Sequence, residues 1–356
     1  MRHLLCTGGG TAGHVIPAIP VLRAARAAGA RVSFVGSRSG LEQKLLADVD
    51  VDFYGIAAGK LRRYLSLENV VDAFRVLAGI WQAFWLLRRL RPSVVFSKGG
   101  FVSFPVVFAA WLLRIPCVAH ESDLTPGLAN RLALPFVRTL CVNFEPVSGF
   151  AGRQLVTGTP LRSELMAGDA ERGRRALGID GSRPLLLVTG GSLGAEAING
   201  ALRAALPRLL ARFEVVHVCG PGKTVSDPSP GYHQFEFVGA GWGDLLAAAD
   251  LVVSRAGANT LFELLALRKP NLLIPLSRRV SRGDQIENAG YASRHGYSRV
   301  LAEEELTADS LVPAVESAFS ELPQLQRKLA GFVVPDAVAL IMAALRQAEQ
   351  GHDGSG

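Results

Sequence analysis

Short apolar runs alternate with longer amphipathic stretches along the first half of the chain. Residues 15–28 repeat their apolar positions with helical spacing, whereas residues 4–7 and 31–35 have the length of buried strands. Further strand-like runs occupy residues 94–96, 117–119 and 140–142. Strands that alternate with helices in this way predict βαβ units and therefore a parallel sheet.

The same pattern begins again halfway along the chain. Residues 185–192 (LLLVTGGS) repeat the order of an apolar run followed by glycines that residues 4–10 (LLCTGGG) show. Further strand-like runs lie at residues 215–219, 251–254 and 272–274. We therefore predict an α/β fold of two Rossmann-like, doubly wound parallel-sheet domains facing a cleft, with ligands at the carboxyl ends of the strands.

The expected domain limits follow from this repeat. The first domain is predicted to cover residues 1–157 and the second residues 158–348, joined near residues 156–161. A final predicted helix at about residues 336–348 is a candidate for packing back onto the first domain. Residues 349–356 are rich in glycine and polar side chains, so they are expected to form a loose tail.

Composition narrows the class of protein. Of the 356 residues, 49% are hydrophobic and 19% charged, which suits two packed domains. Four widely spaced cysteines lie in or beside apolar runs, the pattern of reduced core cysteines in a cytosolic protein. No signal peptide precedes the first predicted strand. The longest apolar stretches, residues 76–87 and 101–113, are shorter than the roughly 20 residues that span a bilayer.

The formal net charge of +7 suggests an anionic partner. The sequence shows neither the interleaved aromatic and basic residues of RNA-binding proteins nor a helix-turn-helix or zinc-finger signature, so nucleic acid is not expected. Phosphates on small molecules and lipids are the preferred interpretation.

Three glycine-rich loops follow predicted strands. They are residues 8–13 (GGGTAG), 98–101 (KGGF) and 190–194 (GGSLG). Glycines let backbone amides approach a phosphate, and the helix that follows adds a positive N-terminus. Residues 8–13 also match the G-x-G-x-x-G dinucleotide pattern, but no acidic residue ends the second strand, where Arg38 stands instead. An NADP-dependent reductase therefore remains an alternative at this point.

These loops and several later segments resemble the MurG family of N-acetylglucosaminyltransferases. The matching segments are residues 8–14 (GGGTAGH) with Pro17 and Ala18, 98–103 (KGGFVS), 120–123 (HESD), 158–162 (GTPLR), 190–195 (GGSLGA), 254–260 (SRAGANT) with Glu263, and 284–289 (DQIENA). They run in order through most of the chain. Asp123 and Ala12 stand where many members carry Asn and Gly, which indicates a divergent subgroup.

The resemblance implies a GT-B fold, with the acceptor in the N-terminal domain and the UDP-sugar in the C-terminal domain. It implies an inverting transfer of N-acetylglucosamine from UDP-N-acetylglucosamine to the muramoyl 4-hydroxyl of undecaprenyl-diphospho-muramoylpentapeptide, a step of peptidoglycan synthesis. No metal and no cofactor are implied. The expected setting is the cytoplasmic face of the cell membrane, as a peripheral protein that contacts anionic lipid and wall-synthesis proteins.

The resemblance also assigns roles to individual residues. Glu263 is expected to accept hydrogen bonds from the ribose hydroxyls, although an isolated helix acid is more often merely solvated. The other residues expected to bind substrate are Thr11, Ala12, Gly13, Gly99, Gly100, Asp123, Arg162, Ser192, Gly194, Asn259, Thr260, Asp284 and Gln285. His14 is proposed as the base or as an orienting group, and Glu121 is the rival base.

Two further features have competing interpretations. Asp48, Asp50 and Asp52 resemble a metal-binding D-x-D motif, but they lie far from any glycine loop and are expected to form a solvated edge. Phe74, Leu77, Trp81, Phe84 and Trp85 recur with helical spacing. Basic residues flank them: Lys60, Arg62, Arg63, Arg75, Arg88, Arg89 and Arg91. This stripe predicts a membrane-contacting patch, with a core-facing helix as the alternative.

Three other functions compete with the transfer reaction. A UDP-sugar transferase with a different acceptor would share the fold and the donor residues. A UDP-N-acetylglucosamine 2-epimerase would share the architecture and need no lipid acceptor. A non-catalytic paralogue that binds UDP-sugar is the third, against which the presence of Glu263, Gln285 and His14 argues.

Overall fold

The computed structural model describes residues 1–59 and 67–353, apart from the side chains of 67–70, 352 and 353. The strands are β1 His3–Thr7, β2 Arg31–Ser37, β3 Asp52–Ile56, β4 Val94–Ser97, β5 Cys117–Glu121, β6 Thr139–Val142, β7 Arg153–Val156, β8 Leu185–Thr189, β9 Glu214–Val218, β10 Tyr232–Phe235, β11 Leu251–Ser254, β12 Asn271–Leu273 and β13 Arg299–Val300. The helices are α1 Ile19–Ala27, α2 Glu42–Leu45, α3 Leu67–Leu90, α4 Ser103–Leu112, α5 Leu128–Ala133, α6 Ser163–Met166, α7 Ala170–Leu177, α8 Glu196–Leu209, α9 Trp242–Ala248, α10 Ala258–Ala266, α11 Asp284–Arg294, α12 Ala308–Ser320, α13 Leu322–Ala330 and α14 Ala337–Asp353.

Both sheets are parallel and have the same strand order. The first runs β3-β2-β1-β4-β5-β6-β7 and the second β10-β9-β8-β11-β12-β13. Leu4 of β1 is paired with Val32 on one side and Val94 on the other, which places β1 inside the sheet. The strand order reverses between β1 and β4 and again between β8 and β11, the points where doubly wound sheets bind ligands. The predicted fold of two Rossmann-like sheets is confirmed.

The chain divides into two compact units at residues other than those expected. The first unit comprises Met1–Arg162 and Pro335–Gly356, and the second comprises Ser163–Val334. Residues 158–162 stay with the first unit because they bond to it. The Gly158 carbonyl lies 2.9 Å from His120 Nε2, and Thr159 donates a 2.8 Å hydrogen bond to Asn143.

The last helix, α14, belongs to the first unit. Ile341, Met342 and Leu345 are buried in the core that β1, α1 and β2 form. Glu349 lies 3.1 Å from the amino group of Met1 and accepts a 2.9 Å hydrogen bond from the Arg2 amide. The expectation of a loose tail from residue 349 is therefore wrong up to residue 353, because this carboxylate ties the helix to β1. Residues 354–356 lie outside the described part.

The first helix begins later than the sequence predicts. The predicted helix at residues 15–28 begins only at Ile19, after short 3-10 turns at Ala12–His14 and Ile16–Ala18. Pro20 fits in the first turn of α1 because its missing N–H would have no intrahelical partner there.

All four cysteines are buried and unpaired, as expected for reduced core thiols. Among the described residues, no helix combines the length and apolarity needed to cross a membrane.

The packing of α14 gives a direct test. Ile341→Ala and Leu345→Ala should each lower the free energy of unfolding of the first unit by about 2–5 kcal/mol, because both side chains are fully buried. Leu340→Ala is the matched control, since Leu340 is 40% exposed. Urea unfolding followed by tryptophan fluorescence reports the first unit through Trp81, Trp85 and Trp111. Equal midpoints for the three variants would contradict this role of α14.

Candidate active site

The first two glycine loops touch each other at the reversal point of the first sheet. They follow β1 and β4, which are neighbours in the sheet. The Gly9 amide donates a 3.3 Å hydrogen bond to the Gly99 carbonyl. A Cβ atom on Gly100, whose φ is +87°, would lie 2.0 Å from the Gly9 carbonyl oxygen. Only glycine permits this approach, so Gly100 is needed for the contact between the loops.

His14 lies at the end of the 3-10 turn Ala12–His14 and is half-buried. Its Nδ1 is 3.2 Å from the Lys98 carbonyl oxygen. A carbonyl oxygen can only accept a hydrogen bond, so Nδ1 carries the proton and the lone pair of the neutral ring is on Nε2. Thr11 is exposed, whereas Ala12 and Gly13 are half-buried. The second loop thus orients the imidazole that the first loop carries.

The carboxylate of Glu121, at the end of β5, accepts hydrogen bonds from neighbouring residues of the first unit. Its side chain is buried and accepts hydrogen bonds from the Asp123 amide at 3.0 Å and from the Gly127 amide at 3.2 Å. It also accepts a 2.7 Å bond from the Asn130 side chain. Both carboxylate oxygens therefore hold the segment that leads into α5. Of the two candidate bases, the geometry favours His14.

A carboxylate that the sequence analysis missed lies under the first loop. Glu42 is fully buried, and its Oε1 accepts a 2.9 Å hydrogen bond from the Gly10 amide. A Cβ atom on Gly9 would lie 2.1 Å from Glu42 Oε1, and one on Gly40 would lie 1.6 Å from Oε2. Ser37 also donates to this side chain. The pattern of apolar and polar positions does not reveal this role of Glu42, because its contacts join the ends of different strands.

Glu42 also bears on the dinucleotide alternative. In a dinucleotide-binding loop the backbone at the second glycine of the motif, here Gly10, would be available to the phosphate. Here the Gly10 amide already donates to the buried Glu42 side chain, so this donor is not available to a phosphate. The match of residues 8–13 to G-x-G-x-x-G is therefore not accompanied by a phosphate site at Gly10, which argues against the NADP interpretation.

Two titratable residues are buried beside these loops. Burial lowers the pKa of the Lys98 ammonium to about 8, and Glu121 and Asp123 partly oppose that shift. Lys98 Nζ donates a 2.6 Å hydrogen bond to Ser122. Burial also lowers the pKa of His120 well below its usual value, which keeps its ring neutral. His120 therefore packs in the first unit as a neutral residue.

The third glycine loop links β8 to α8 in the second unit. Gly191 and Gly194 have φ values of +84° and +68°. A Cβ atom on Gly194 would lie 1.8 Å from the Cys219 carbonyl oxygen, so the loop lies directly against the end of β9. Ser192 is exposed at the tip of the loop, ahead of the amino end of α8. This is the arrangement that suits a phosphate.

The neighbouring β11 leads into α10, which carries three of the predicted donor-binding residues. Asn259 and Thr260 are in its first turn and Glu263 is one turn later, all half-buried. A separation of three or four residues puts them on one face of the helix. The structure thus brings these side chains together beside the third loop, because β8 and β11 are adjacent.

Asp284 and Gln285 begin α11. Gln285 Oε1 accepts a 3.0 Å hydrogen bond from the Leu276 amide, and Asp284 lies 3.3 Å from Arg282 Nε. Asn288 of the same helix donates a 3.1 Å bond to the Ala256 carbonyl, which fixes α11 beside the start of α10. Arg162 is the last residue of the first unit and is half-buried.

The D-x-D-like segment has ordinary ion-pair partners. Asp50 pairs with Arg26 at 2.5 Å and Asp52 with Arg31 at 2.9 Å, with all four side chains half exposed or more. Among the residues that the structure describes, no group of three or more His, Cys, Asp or Glu side chains is placed to hold a metal ion.

The burial of Lys98 predicts an unusual pH dependence of stability. Its pKa is near 8 in the folded chain and about 10.5 when unfolded, so the unfolded state binds more protons between these values. The free energy of unfolding should therefore rise across pH 8–10.5, by on the order of 3 kcal/mol from this group. Lys98→Met should lose that rise and be more stable than wild type near pH 7.

The check is urea unfolding at several pH values, read as the difference between each variant and wild type so that other titrating groups cancel. Lys44→Met, at an exposed lysine of the same unit, is the control and should keep the wild-type profile. Parallel profiles for Lys98→Met and wild type would rule out a perturbed Lys98.

Comparison with solved structures finds the same fold. The crystal structure of Acinetobacter baumannii MurG matches with a TM-score of 0.78 and 24% identity, covering 98% of this chain and 100% of that one. A UDP-GlcNAc 2-epimerase from Neisseria meningitidis, bound to UDP-GlcNAc, matches with a TM-score of 0.68 and 14% identity, covering 98% of this chain and 100% of that one. At these identities the likeness shows the architecture, which transferases and an epimerase share.

Sequence comparison is more specific. The chain is 47% identical over 354 residues to a UDP-N-acetylglucosamine–N-acetylmuramyl-(pentapeptide) pyrophosphoryl-undecaprenol N-acetylglucosamine transferase from Legionella pneumophila (strain Paris), covering 98% of this chain and 97% of the relative. A protein of the same name from Geobacillus kaustophilus is 46% identical, covering 97% and 98%. Residues 4–142 match the glycosyltransferase family 28 N-terminal domain and residues 185–340 its C-terminal domain. The chain belongs to glycosyltransferase family 28.

Proposed function

We propose that this protein transfers N-acetylglucosamine from UDP-N-acetylglucosamine to the pyrophosphoryl-undecaprenol-linked N-acetylmuramyl-pentapeptide, the reaction that its relatives' names describe. The observation that carries the proposal is 47% identity over 98% of the chain to proteins of that one name. The geometry of the loops supports it, because each unit has glycine turns and helix N-termini at the reversal point of its sheet. Such ends of parallel sheets bind phosphorylated ligands.

The second unit is the proposed donor site. Glu263 offers two acceptor oxygens, which suit the vicinal hydroxyls of a ribose, with Asn259 and Thr260 on the same helix face. The diphosphate is proposed to bind at Ser192 and Gly194, where the amino end of α8 stabilises negative charge. Asp284 and Gln285 are proposed to contact the sugar. Arg162 is a further candidate contact for the diphosphate.

The first unit is the proposed acceptor site, with Thr11, Ala12, Gly13, Gly99, Gly100 and Asp123 as its contacts. His14 Nε2 takes the proton of the acceptor's 4-hydroxyl while that oxygen forms its bond to the anomeric carbon. The electron pair of the breaking C–O bond leaves with the UDP diphosphate, and a single displacement inverts the anomeric configuration. The Lys98 carbonyl keeps His14 in the tautomer that this proton transfer requires.

The test uses radiolabelled UDP-N-acetylglucosamine with and without the undecaprenyl-linked acceptor, in buffer containing a chelator. Wild type should move label into the lipid fraction only when the acceptor is present. His14→Ala should lower kcat by about 10²–10⁴-fold without changing UDP-sugar affinity, because the base acts in the transition state. His233→Ala, at a half-buried histidine of β10, is the control and should keep wild-type kcat.

Each other outcome favours a competing function. Epimerised UDP-sugar without transfer would favour the 2-epimerase. Transfer to a different lipid or small molecule alone would favour another acceptor. Tight UDP-sugar binding without any turnover would favour a non-catalytic paralogue. Wild-type kcat in His14→Ala would remove His14 from the mechanism but leave the transfer function in place.

We also propose that α3 binds the cytoplasmic face of the membrane. Four of the five predicted patch residues are strongly exposed: Phe74 at 68%, Leu77 at 61%, Trp81 at 65% and Trp85 at 49%. Phe84 is half-buried and packs partly on the core, so it contributes less than the sequence suggested. The opposite face, with Ala83 and Leu87, is buried. The alternative of a wholly core-facing stripe therefore does not fit this exposure.

Charge at the exposed patch favours anionic lipid. Arg75, Arg88 and Arg89 are exposed on the same helix, and Arg88 lies over the Trp85 ring with 6.0 Å between its guanidinium carbon and the ring centroid. Lys60, Arg62 and Arg63, which the sequence also suggested as flanking charges, lie outside the described residues. Aromatic side chains beside arginines suit the interface between lipid headgroups and acyl chains.

Replacing both Trp81 and Trp85 with serine should weaken binding to anionic vesicles by about tenfold or more, because it removes two large exposed aromatic side chains of the patch. UDP-sugar affinity should stay unchanged. Phe237→Ser removes an equally exposed aromatic residue from the second unit and should bind vesicles like wild type. Unaltered co-sedimentation of the double variant with phosphatidylglycerol vesicles would contradict the proposal that α3 binds the membrane.

A further inference from the structure

A cavity of about 690 Å³ opens in the first unit beside the first two glycine loops. Gly10 and Phe101 line it on the loop side, Ser37–Leu41 at the end of β2, Ile56–Ala58 after β3, and Asp72 and Arg75 on α3. Its volume falls in the range of small-molecule sites. None of the site residues taken from the family resemblance lines it, so its function is unassigned.

The charge of the cavity wall favours an anion. Among the described residues, the cationic ones that line it are Arg38 and Arg75, and both are exposed. The acidic one in the same described lining is Asp72, which is buried and pairs with Arg75 at 3.1 Å through a single nitrogen of the guanidinium. Arg38 donates from Nε to the Gly55 carbonyl at 3.3 Å. Each guanidinium has five N–H donors, so both retain capacity to bind a carboxylate or phosphate.

The loop side of the cavity suits an uncharged group better than an anion. Glu42 lies directly behind Gly10 and Gly40, both of which line the cavity, and it already accepts the Gly10 amide. Phe101 adds an aromatic ring to the same wall. A ligand with an uncharged sugar at one end and an acidic group at the other would therefore place the sugar near Gly10 and the acidic group near Arg38 and Arg75.

We propose that this cavity is the subsite for an acidic substituent of the acceptor sugar, with Arg38 and Arg75 as the residues that bind it. The inference rests on the proposed transfer function, since the acceptor carries both a diphosphate and peptide carboxylates. The cavity places the sugar end against the loop that continues into His14, four residues after Gly10. It places the acidic end at the first turns of α3, whose Phe74 and Leu77 belong to the exposed apolar patch.

The experiment measures steady-state transfer to a short-chain, water-soluble acceptor, so that membrane binding does not contribute. Arg38→Gln and Arg75→Gln should each raise the acceptor KM by about tenfold, and the double variant by more, with the KM for UDP-N-acetylglucosamine unchanged. Arg75→Lys keeps the charge and should give an intermediate acceptor KM. Arg346→Gln, at an exposed arginine of α14 outside the cavity, should behave like wild type.

A second acceptor whose peptide carboxylates are amidated identifies the bound group. If the KM effect of the arginine variants disappears with this acceptor, the subsite binds a peptide carboxylate. If the effect persists, it binds the diphosphate. An unchanged acceptor KM in the double variant, with wild-type transfer intact, overturns the subsite alone. Absence of transfer by wild type instead refutes the proposed function on which the subsite rests.

Discussion

The contact between the backbones of the first two glycine loops determines the geometry of the first unit's site. Gly9 donates to the Gly99 carbonyl, and Gly100 approaches the Gly9 carbonyl more closely than any side chain would allow. This approach brings the Lys98 carbonyl to the His14 ring. The orientation of His14 thus depends on atoms of the neighbouring loop. A parallel sheet makes the contact possible, because β1 and β4 end at the same edge.

The strands and the glycine loops could be predicted from the sequence because their signals are local. Short apolar runs such as residues 185–189 have the length of a buried strand, and the glycines after them mark the turn into a helix. The repeat of this pattern after residue 184 also reveals the second sheet. The roles expected of Asn259, Thr260 and Glu263 rest instead on the family resemblance, and the structure places all three on α10, which follows β11.

Features that depend on contacts distant in sequence were missed or misplaced. Glu349 looked like the start of a loose tail, yet it is bound by the amino group of Met1 and the Arg2 amide at the other end of the chain. Glu42 was missed because only the ends of two different strands bring it to the Gly10 amide. Glu121 stays a candidate base from the resemblance; the three hydrogen bonds that its carboxylate accepts come from residues 123–130, a local arrangement that hydrophobic periodicity does not reveal.

The burial of Glu42 couples the evolution of several positions. Gly9, Gly36 and Gly40 each lack the Cβ atom that would approach this side chain, at 2.1, 3.1 and 1.6 Å. At Gly9 and Gly40 the nearest atoms are the carboxylate oxygens of Glu42, so a larger residue at either position requires position 42 to shorten or move. A shorter residue at 42 in turn removes the acceptor of the Gly10 amide. Substitutions at positions 9, 40 and 42 are therefore epistatic, because the effect of a change at one of them depends on the residues at the other two.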